Sequence, residues 1–446
     1  MSKSMRKKED TILMIASGMK RKKKEFMKYN ANNVYLNYGL LGLATILYNK
    51  GYVGVRMFQG DDKSTENLIE DIYNEGIEIN SLTYPVFISI PSFFAITWAE
   101  EFISEIKKIK KDIKVIVGGR WTVDNNLEWI KQRLPLVDFV CRGCPDEYIE
   151  DILEPSNWEK YVEPGEAKSA FENFNYELLF QYKKYQPSIE ICRGCGNGCA
   201  FCLEGKYRLT KRKSALSVIK EAESVCKLYE DDHLNFYFEA SIFNPTLEWA
   251  KEFKKYYDEY GMKFKWRFET RVDVINLEVL DILAGAGLKV IDLGLESASP
   301  RQLERMEKTK DAEKYLKKAE ALLDKAFDCD IWCKLNILLY VGETKETLNE
   351  TLEWLVGKKY KGLSVNPFIL YLNGEGIIGF IDKIKEIAQI EVDEEELNEK
   401  GYLFIDLSNE ITSDEAKKIS RDIEEKYMSR EDYMDLKRIC YMERKN

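Results

Sequence analysis

The chain has 446 residues, 45% of them apolar and 32% charged, with a formal net charge of −10 and a single histidine. That length asks for two or three domains, and one histidine makes a Ser/His/Asp triad improbable and a histidine metal cluster impossible. The acidic balance argues against a general nucleic-acid surface. The first apolar run, Thr11 to Ala16, is too short for a signal-peptide core or a membrane span, so a cytoplasmic chain without a membrane partner is expected.

From Thr11 to about Leu153 short apolar runs alternate with helical patterns, as in a parallel α/β sheet. The expected strands are Thr11–Ala16, Gly54–Phe58, Val86–Ile90, Lys114–Val117 and Asp138–Cys141, with helical patterns at Gly39 to Tyr48 and Ile96 to Ile109. Ligands of such sheets bind beyond the carboxyl ends of the strands. That directs attention to Ser17-Gly18, Gln59-Gly60, Ser89 with Pro91-Ser92, and Gly118-Gly119-Arg120. The basic runs Lys20 to Lys24 and Lys211 to Lys213 read as solvated loop faces, and His233 as a surface residue. Residues 154–186, aromatic but aperiodic, read as a linker packed across two domains.

A second series of β/α units follows. Strands are expected at Ser188–Cys192, Leu234–Glu239, Lys263–Glu269, Lys289–Gly294, Trp332–Leu339 and Leu363–Leu370, separated by helical patterns such as Ala215 to Tyr229 and Ala312 to Lys325. Six such units predict a partial (β/α)6 barrel, whose chemistry would sit at the carboxyl ends of its strands. Right after the first strand come Cys195, Cys199 and Cys202 in a C-x3-C-x2-C spacing. A [4Fe-4S] cluster takes four thiolates in its ordinary form, so three in one loop leave an iron for an exogenous ligand. Cys192 extends the run to C-x2-C-x3-C-x2-C, but three residues leave little room between the pairs of a zinc site, and the ferredoxin spacing is different. Cys192 therefore reads as a structural thiol. Residues 374–446 read as a charged helical extension with an acidic run at Asp393–Glu396 and a helix N-cap at Ser413.

The cysteine loop, with Phe201 between its last two cysteines, resembles that of the radical S-adenosylmethionine (SAM) enzymes. Glu269-Thr270-Arg271, Gly294-Leu295-Glu296-Ser297 and the turn Tyr340-Val341-Gly342-Glu343-Thr344 are similar to segments of the same family, in the same order. The first domain resembles the Rossmann-like cobalamin-binding domain of one branch, in the helix Tyr38 to Tyr52, in Val115 to Arg120 with its paired glycine, and in Arg142-Gly143. The resemblance implies an α/β chain with a cobalamin-binding-type domain at 1–153, a radical SAM barrel at 187–373 and the helical extension after it. It implies a [4Fe-4S] cluster on Cys195, Cys199 and Cys202, which serve as both metal ligands and catalytic residues. SAM would be held by Phe201, Glu239, Arg271, Glu296 and Ser297, and cobalamin by Gly60, Ser89, Gly118, Gly119 and Arg120. No Asp-x-His-x-x-Gly stretch is present, so cobalamin would bind without a histidine below the cobalt. The implied activity is methyl transfer from methylcobalamin to a small-molecule or peptide substrate, with an electron donor such as a flavodoxin or ferredoxin as partner. The alternative is another radical SAM reaction, such as rearrangement, ring contraction, cyclisation or peptide modification, with cobalamin or with a degenerate cobalamin domain that no longer binds it.

Overall fold

A computed structural model describes residues 6–19, 36–61, 63–123, 127–163, 165, 173–372 and 377–440. The basic run Lys20–Lys24 lies outside them. Among the described residues no helix is long and apolar enough to cross a membrane.

The first sheet has strands β1 (Ile12–Ala16), β2 (Val55–Gln59), β3 (Val86–Ser89), β4 (Val115–Gly118) and β5 (Phe139–Val140), in the order β2-β1-β3-β4-β5 and parallel throughout. Parallel strands covered by helices on both faces need apolar residues at every position, and Ile12–Ala16 and Val86–Ser89 are buried along their whole length. The strand order reverses between β1 and β3, the place where such sheets open a crevice for ligands. Helix Tyr38–Asn49 starts at Asn37, whose side chain accepts from the Leu40 N–H.

The second sheet runs β11-β10-β9-β8-β7-β6, again all parallel. Its strands are β6 (Ser188–Glu190), β7 (Asn235–Glu239), β8 (Lys265–Arg271), β9 (Leu288–Glu296), β10 (Trp332–Leu339) and β11 (Gly362–Pro367). Six units in sequence order, with the edges β6 and β11 unjoined, make the open barrel that the pattern predicts. Period-two alternation sorts its residues. Phe236, Phe238, Trp266, Phe268, Leu293 and Leu295 are buried in the apolar core, while the alternate Tyr237, Glu239, Glu269, Glu296 and Asn336 retain solvent access. The polar set therefore lines a water-accessible lumen.

The segment joining the two sheets packs against both. Leu179 forms a parallel bridge with Met57 on β2, and the Phe180 N–H donates to the Met57 carbonyl at 2.8 Å. The Tyr176 hydroxyl donates to the Ser188 carbonyl at 2.6 Å on β6, and the Asn175 N–H donates to Thr45 Oγ1 at 2.9 Å.

Three expectations need correction. The apolar run at 363–370 divides at Phe368, and its second part, β12 (Ile369–Tyr371), pairs antiparallel with β13 (Tyr402–Phe404), so the extension is not wholly helical. The helix Ser413–Tyr427 is capped by Thr412, whose side chain and that of Glu415 exchange hydrogen bonds with each other's backbone, rather than by Ser413. Lys213 is not on a solvated face: it is 3% exposed and pairs with buried Glu221 at 2.6 Å. The acidic run becomes a helix start, with Asp393 accepting from the Glu396 N–H at 2.8 Å and its glutamates at the favourable end of the helix dipole. His233 is exposed.

Candidate active site at the mouth of the barrel

Strand β6 delivers the chain into a loop in which Gly194, Gly196 and Gly198 all take positive φ, at 75°, 73° and 67°. A Cβ on Gly194 would lie 2.3 Å from the Arg208 carbonyl oxygen, so this turn requires glycine. The loop is tied down at both ends. The Cys195 N–H donates to the Tyr207 carbonyl at 3.0 Å and the Ala200 N–H to the Met306 carbonyl at 2.9 Å.

The cysteines differ by what faces their sulfurs. Asn197 Nδ2 donates to Cys195 Sγ at 2.8 Å, and Arg271 Nη1 donates to Cys199 Sγ at 3.2 Å. Burial raises the Cys202 thiol, opposed by hydrogen bonds from the backbone N–H groups of Gly205 and Glu204. Sulfurs that receive hydrogen bonds suit thiolates. Cys192 is arranged the other way: its Sγ donates to the Ile242 carbonyl at 3.6 Å, and burial pushes its thiol up to about 11. Among the described residues no three Cys, His, Asp or Glu side chains converge on the position of a single metal ion. A cubane bonds each thiolate to a different iron and needs no such convergence.

Strand ends supply the rest of the mouth. Glu239 ends β7 and accepts from Ser188 Oγ at 2.8 Å. Burial, offset in part by Ser188 and Arg267, pushes its carboxyl up to about 8, so it is mostly neutral at pH 7. A carboxyl raised this way favours the folded state below its unfolded value of about 4.3, and that contribution is lost as pH rises towards 8. Glu239→Gln, which keeps the neutral shape, should therefore gain stability over the parent as pH rises from 5 to 8 and hold the gain above it. Urea midpoints across that range test this, and parallel pH curves for the two proteins would refute it.

Arg271, at the end of β8, donates from Nε and Nη2 to Asp273 at 2.9 and 3.0 Å, from Nη2 to the Lys308 carbonyl at 2.6 Å, and from Nη1 to Cys199. Glu296, at φ +67°, accepts from Lys308 Nζ at 3.1 Å beneath the Phe201 ring, whose centroid is 5.8 Å from that nitrogen. Ser297, expected at the SAM pocket, is instead 2% exposed, with its hydroxyl shared with Thr351 at 3.0 Å and accepting from the Ser299 N–H. Sequence reasoning missed Asp273 and Lys308. Asp273 had a signal, since residues i and i+2 share a side at a strand end; Lys308 had none.

The first sheet meets this mouth directly. Arg120, after the paired glycine of β4, pairs with Glu204 two residues beyond Cys202, Nη2 to Oε1 at 3.1 Å, and lies 5.4 Å from the Tyr207 ring centroid. Arg193, two residues before Cys195, pairs with Asp146 of the first half at 2.7 Å and with Glu190. Burial and the carboxylates of Glu239, Glu190 and Glu204 hold the Tyr38 phenol neutral. At the carboxyl ends of the first sheet, Ser89 Oγ accepts from Asn37 Nδ2 at 3.0 Å, and Ser17 Oγ is buried with no partner among the described residues. Several of the glycines there serve packing. A Cβ on Gly60 would meet the Trp98 ring at 2.5 Å, and one on Gly119, at φ +100°, would meet the Ile90 backbone at 2.8 Å. A Cβ on Gly118 would lie 3.3 Å from the Cys141 carbonyl oxygen, a less severe but still tight contact.

Residues 189–355 match the family model of the Radical SAM superfamily. The barrel of this chain is a radical SAM domain. Among curated proteins, the chain is 27% identical over 243 residues to the ribosomal protein uS12 methylthiotransferase RimO of Rhodopseudomonas palustris, covering 48% of this chain and 55% of that one. It is 24% identical over 273 residues to the uncharacterized methyltransferase PH0819 of Pyrococcus horikoshii, covering 55% and 59%. The matches thus span little more than half the length of these relatives. Among solved structures, the radical SAM methyltransferase TsrM of Kitasatospora setae, with tryptophan substrate and a SAM analog, superposes with a TM-score of 0.59 at 16% identity, over 80% of this chain and 73% of that one. The cobalamin-dependent SAM radical enzyme OxsB, with aqua-cobalamin and SAM, gives 0.58 at 16% identity, over 89% and 57%. At this identity the likeness is one of fold, and it extends beyond the radical SAM domain to the sheet in front of it.

Proposed function

We propose that this chain is a cobalamin-dependent radical SAM methyltransferase acting on a small molecule or peptide. The observation that carries the reading is the Arg120–Glu204 contact, which sets the carboxyl end of β4 in the first sheet against the cysteine loop. A corrin lying against Ser17, Gly118 and Arg120 would face a substrate held over the barrel lumen. The Ser17 hydroxyl, which has no partner among the described residues, is the feature of this structure that fits it; Gly60, Gly118, Gly119 and Ser89 would shape the crevice through packing and through Asn37. No histidine is available to the first domain, so the lower face of the cobalt would lack one.

Cys195, Cys199 and Cys202 would hold the cluster. Glu239 and Glu296 would take hydrogen bonds from SAM, and Phe201 would pack beside it. When bound, these groups would supply an electron for reductive cleavage of SAM and a transferable methyl group. The chain's own part is to fix the loop through its glycines, to keep Glu239 neutral, and to hold Lys308 against Glu296.

The test is anaerobic reconstitution with iron, sulfide and hydroxocobalamin, followed by removal of free corrin and assay after reduction. Corrin retained near one equivalent, with S-adenosylhomocysteine formed, supports the proposal. SAM cleavage to 5′-deoxyadenosine without retained corrin moves the chain to a cobalamin-independent reaction of the same superfamily.

A further inference from the structure

We propose that Arg271 is a positioning residue for the iron–sulfur cluster, which donates to the Cys199 sulfur and sets the cluster's reduction potential, rather than a ligand of the SAM carboxylate. The inference rests on the cluster reading above. A guanidinium has five N–H donors, and four of those of Arg271 are committed: two to Asp273, one to the Lys308 carbonyl and one to Cys199 Sγ. A paired hydrogen bond to an incoming carboxylate needs two neighbouring free N–H groups, and Asp273 already takes the side of the fork that offers them. The position resembles a SAM contact in sequence, yet the geometry spends the guanidinium on the loop.

Burial makes the contact matter. Arg271 is 8% exposed and Cys199 9%, so the hydrogen bond operates with little screening by water. The other two sulfurs face neutral donors, the Asn197 amide for Cys195 and backbone N–H groups for Cys202. Among the described residues, Cys199 alone of the three faces a cation. Reduction adds one electron to the cluster and raises the negative charge on its sulfurs, so a donor that strengthens with that charge favours the reduced form and raises the potential. Asp273 offsets part of the charge but fixes the plane of the fork, leaving the directional N–H···S contact in place. The Lys308 carbonyl holds the other edge and couples this fork to the residue that pairs with Glu296.

The experiment uses the full chain, reconstituted anaerobically with iron and sulfide, comparing the parent with Arg271→Gln and Arg271→Lys. Potentials come from redox titration followed by electron paramagnetic resonance, and SAM affinity from equilibrium dialysis. The expected result is a cluster harder to reduce in Arg271→Gln by about tenfold in the equilibrium constant, equivalent to about 59 mV for one electron, with SAM affinity within about twofold of the parent. Arg271→Lys keeps the charge without the fork and should fall between the two. If Arg271→Gln does not keep its cluster, the potential of Arg271→Lys decides by the same criterion. An unchanged potential together with a tenfold loss of SAM affinity would overturn the proposal and return Arg271 to the carboxylate. A parent chain that takes up no iron would overturn the cluster reading itself, a distinct outcome.

Discussion

Alanine at Cys195, Cys199 or Cys202 is expected to abolish cluster assembly and SAM cleavage, while alanine at Cys192 leaves both intact. Loss of a group that merely orients a metal ligand costs roughly 10–100-fold in metal affinity or activity, so loss of a ligand should exceed about a hundredfold. The Cys192 thiol donates to a backbone carbonyl and is pushed up to about 11 by burial, which suits a neutral core residue. Truncating it removes a small buried side chain at a modest cost in stability. Iron and sulfide content, with the cluster's visible absorbance, separates the four variants. Full iron loss in Cys192→Ala, or retained iron in Cys199→Ala, would reverse the assignment of the three ligands.

Asp292→Ala should destabilise the barrel strongly, by about 3–5 kcal/mol. Asp292 is 1% exposed and holds two cations from neighbouring strands, Arg267 Nη1 at 2.7 Å and Lys334 Nζ at 2.7 Å. Removing the carboxylate leaves both charges beneath the lumen without their partner. Burial alone would raise the Asp292 carboxyl, but Lys334 and Arg267 outweigh it and hold it below the usual range. A lowered carboxyl contributes stability that is present above its unfolded value, about 3.9, and is lost as pH falls through the folded one. The parent should therefore lose stability below about pH 4 in a step that Asp292→Asn lacks. Urea midpoints at pH 7 and at several acidic values measure both effects; a midpoint at pH 7 unchanged by Asp292→Ala would show that the cations find other partners.

These outcomes rest on residues that were unequally visible in the sequence. Both sheets were legible strand by strand, because a parallel sheet covered on both sides leaves continuous apolar runs and a barrel wall leaves alternating ones. The split at Phe368 was hidden, since 363–370 is one apolar run whether it forms one strand or two. Lys213 looked like part of a basic surface because its partner Glu221 lies on the following helix, and nothing in a charge run reveals which member turns inward.

By itself the sequence determined the cysteine loop and the succession of strands along the chain. Loop spacing is a local property: three thiolates within eight residues, the first two separated by a glycine-rich stretch, remain together in any fold that contains the segment. What only the tertiary structure decided is which groups face those thiolates. Arg271 lies 72 positions from Cys199, and Arg120 lies 84 positions from Glu204, so neither contact leaves a periodic trace in the chain. Packing brought them together: strand ends of the barrel set Arg271 beside the cysteine loop, and the first sheet, with the carboxyl end of β4 at the same mouth, sets Arg120 beside Glu204.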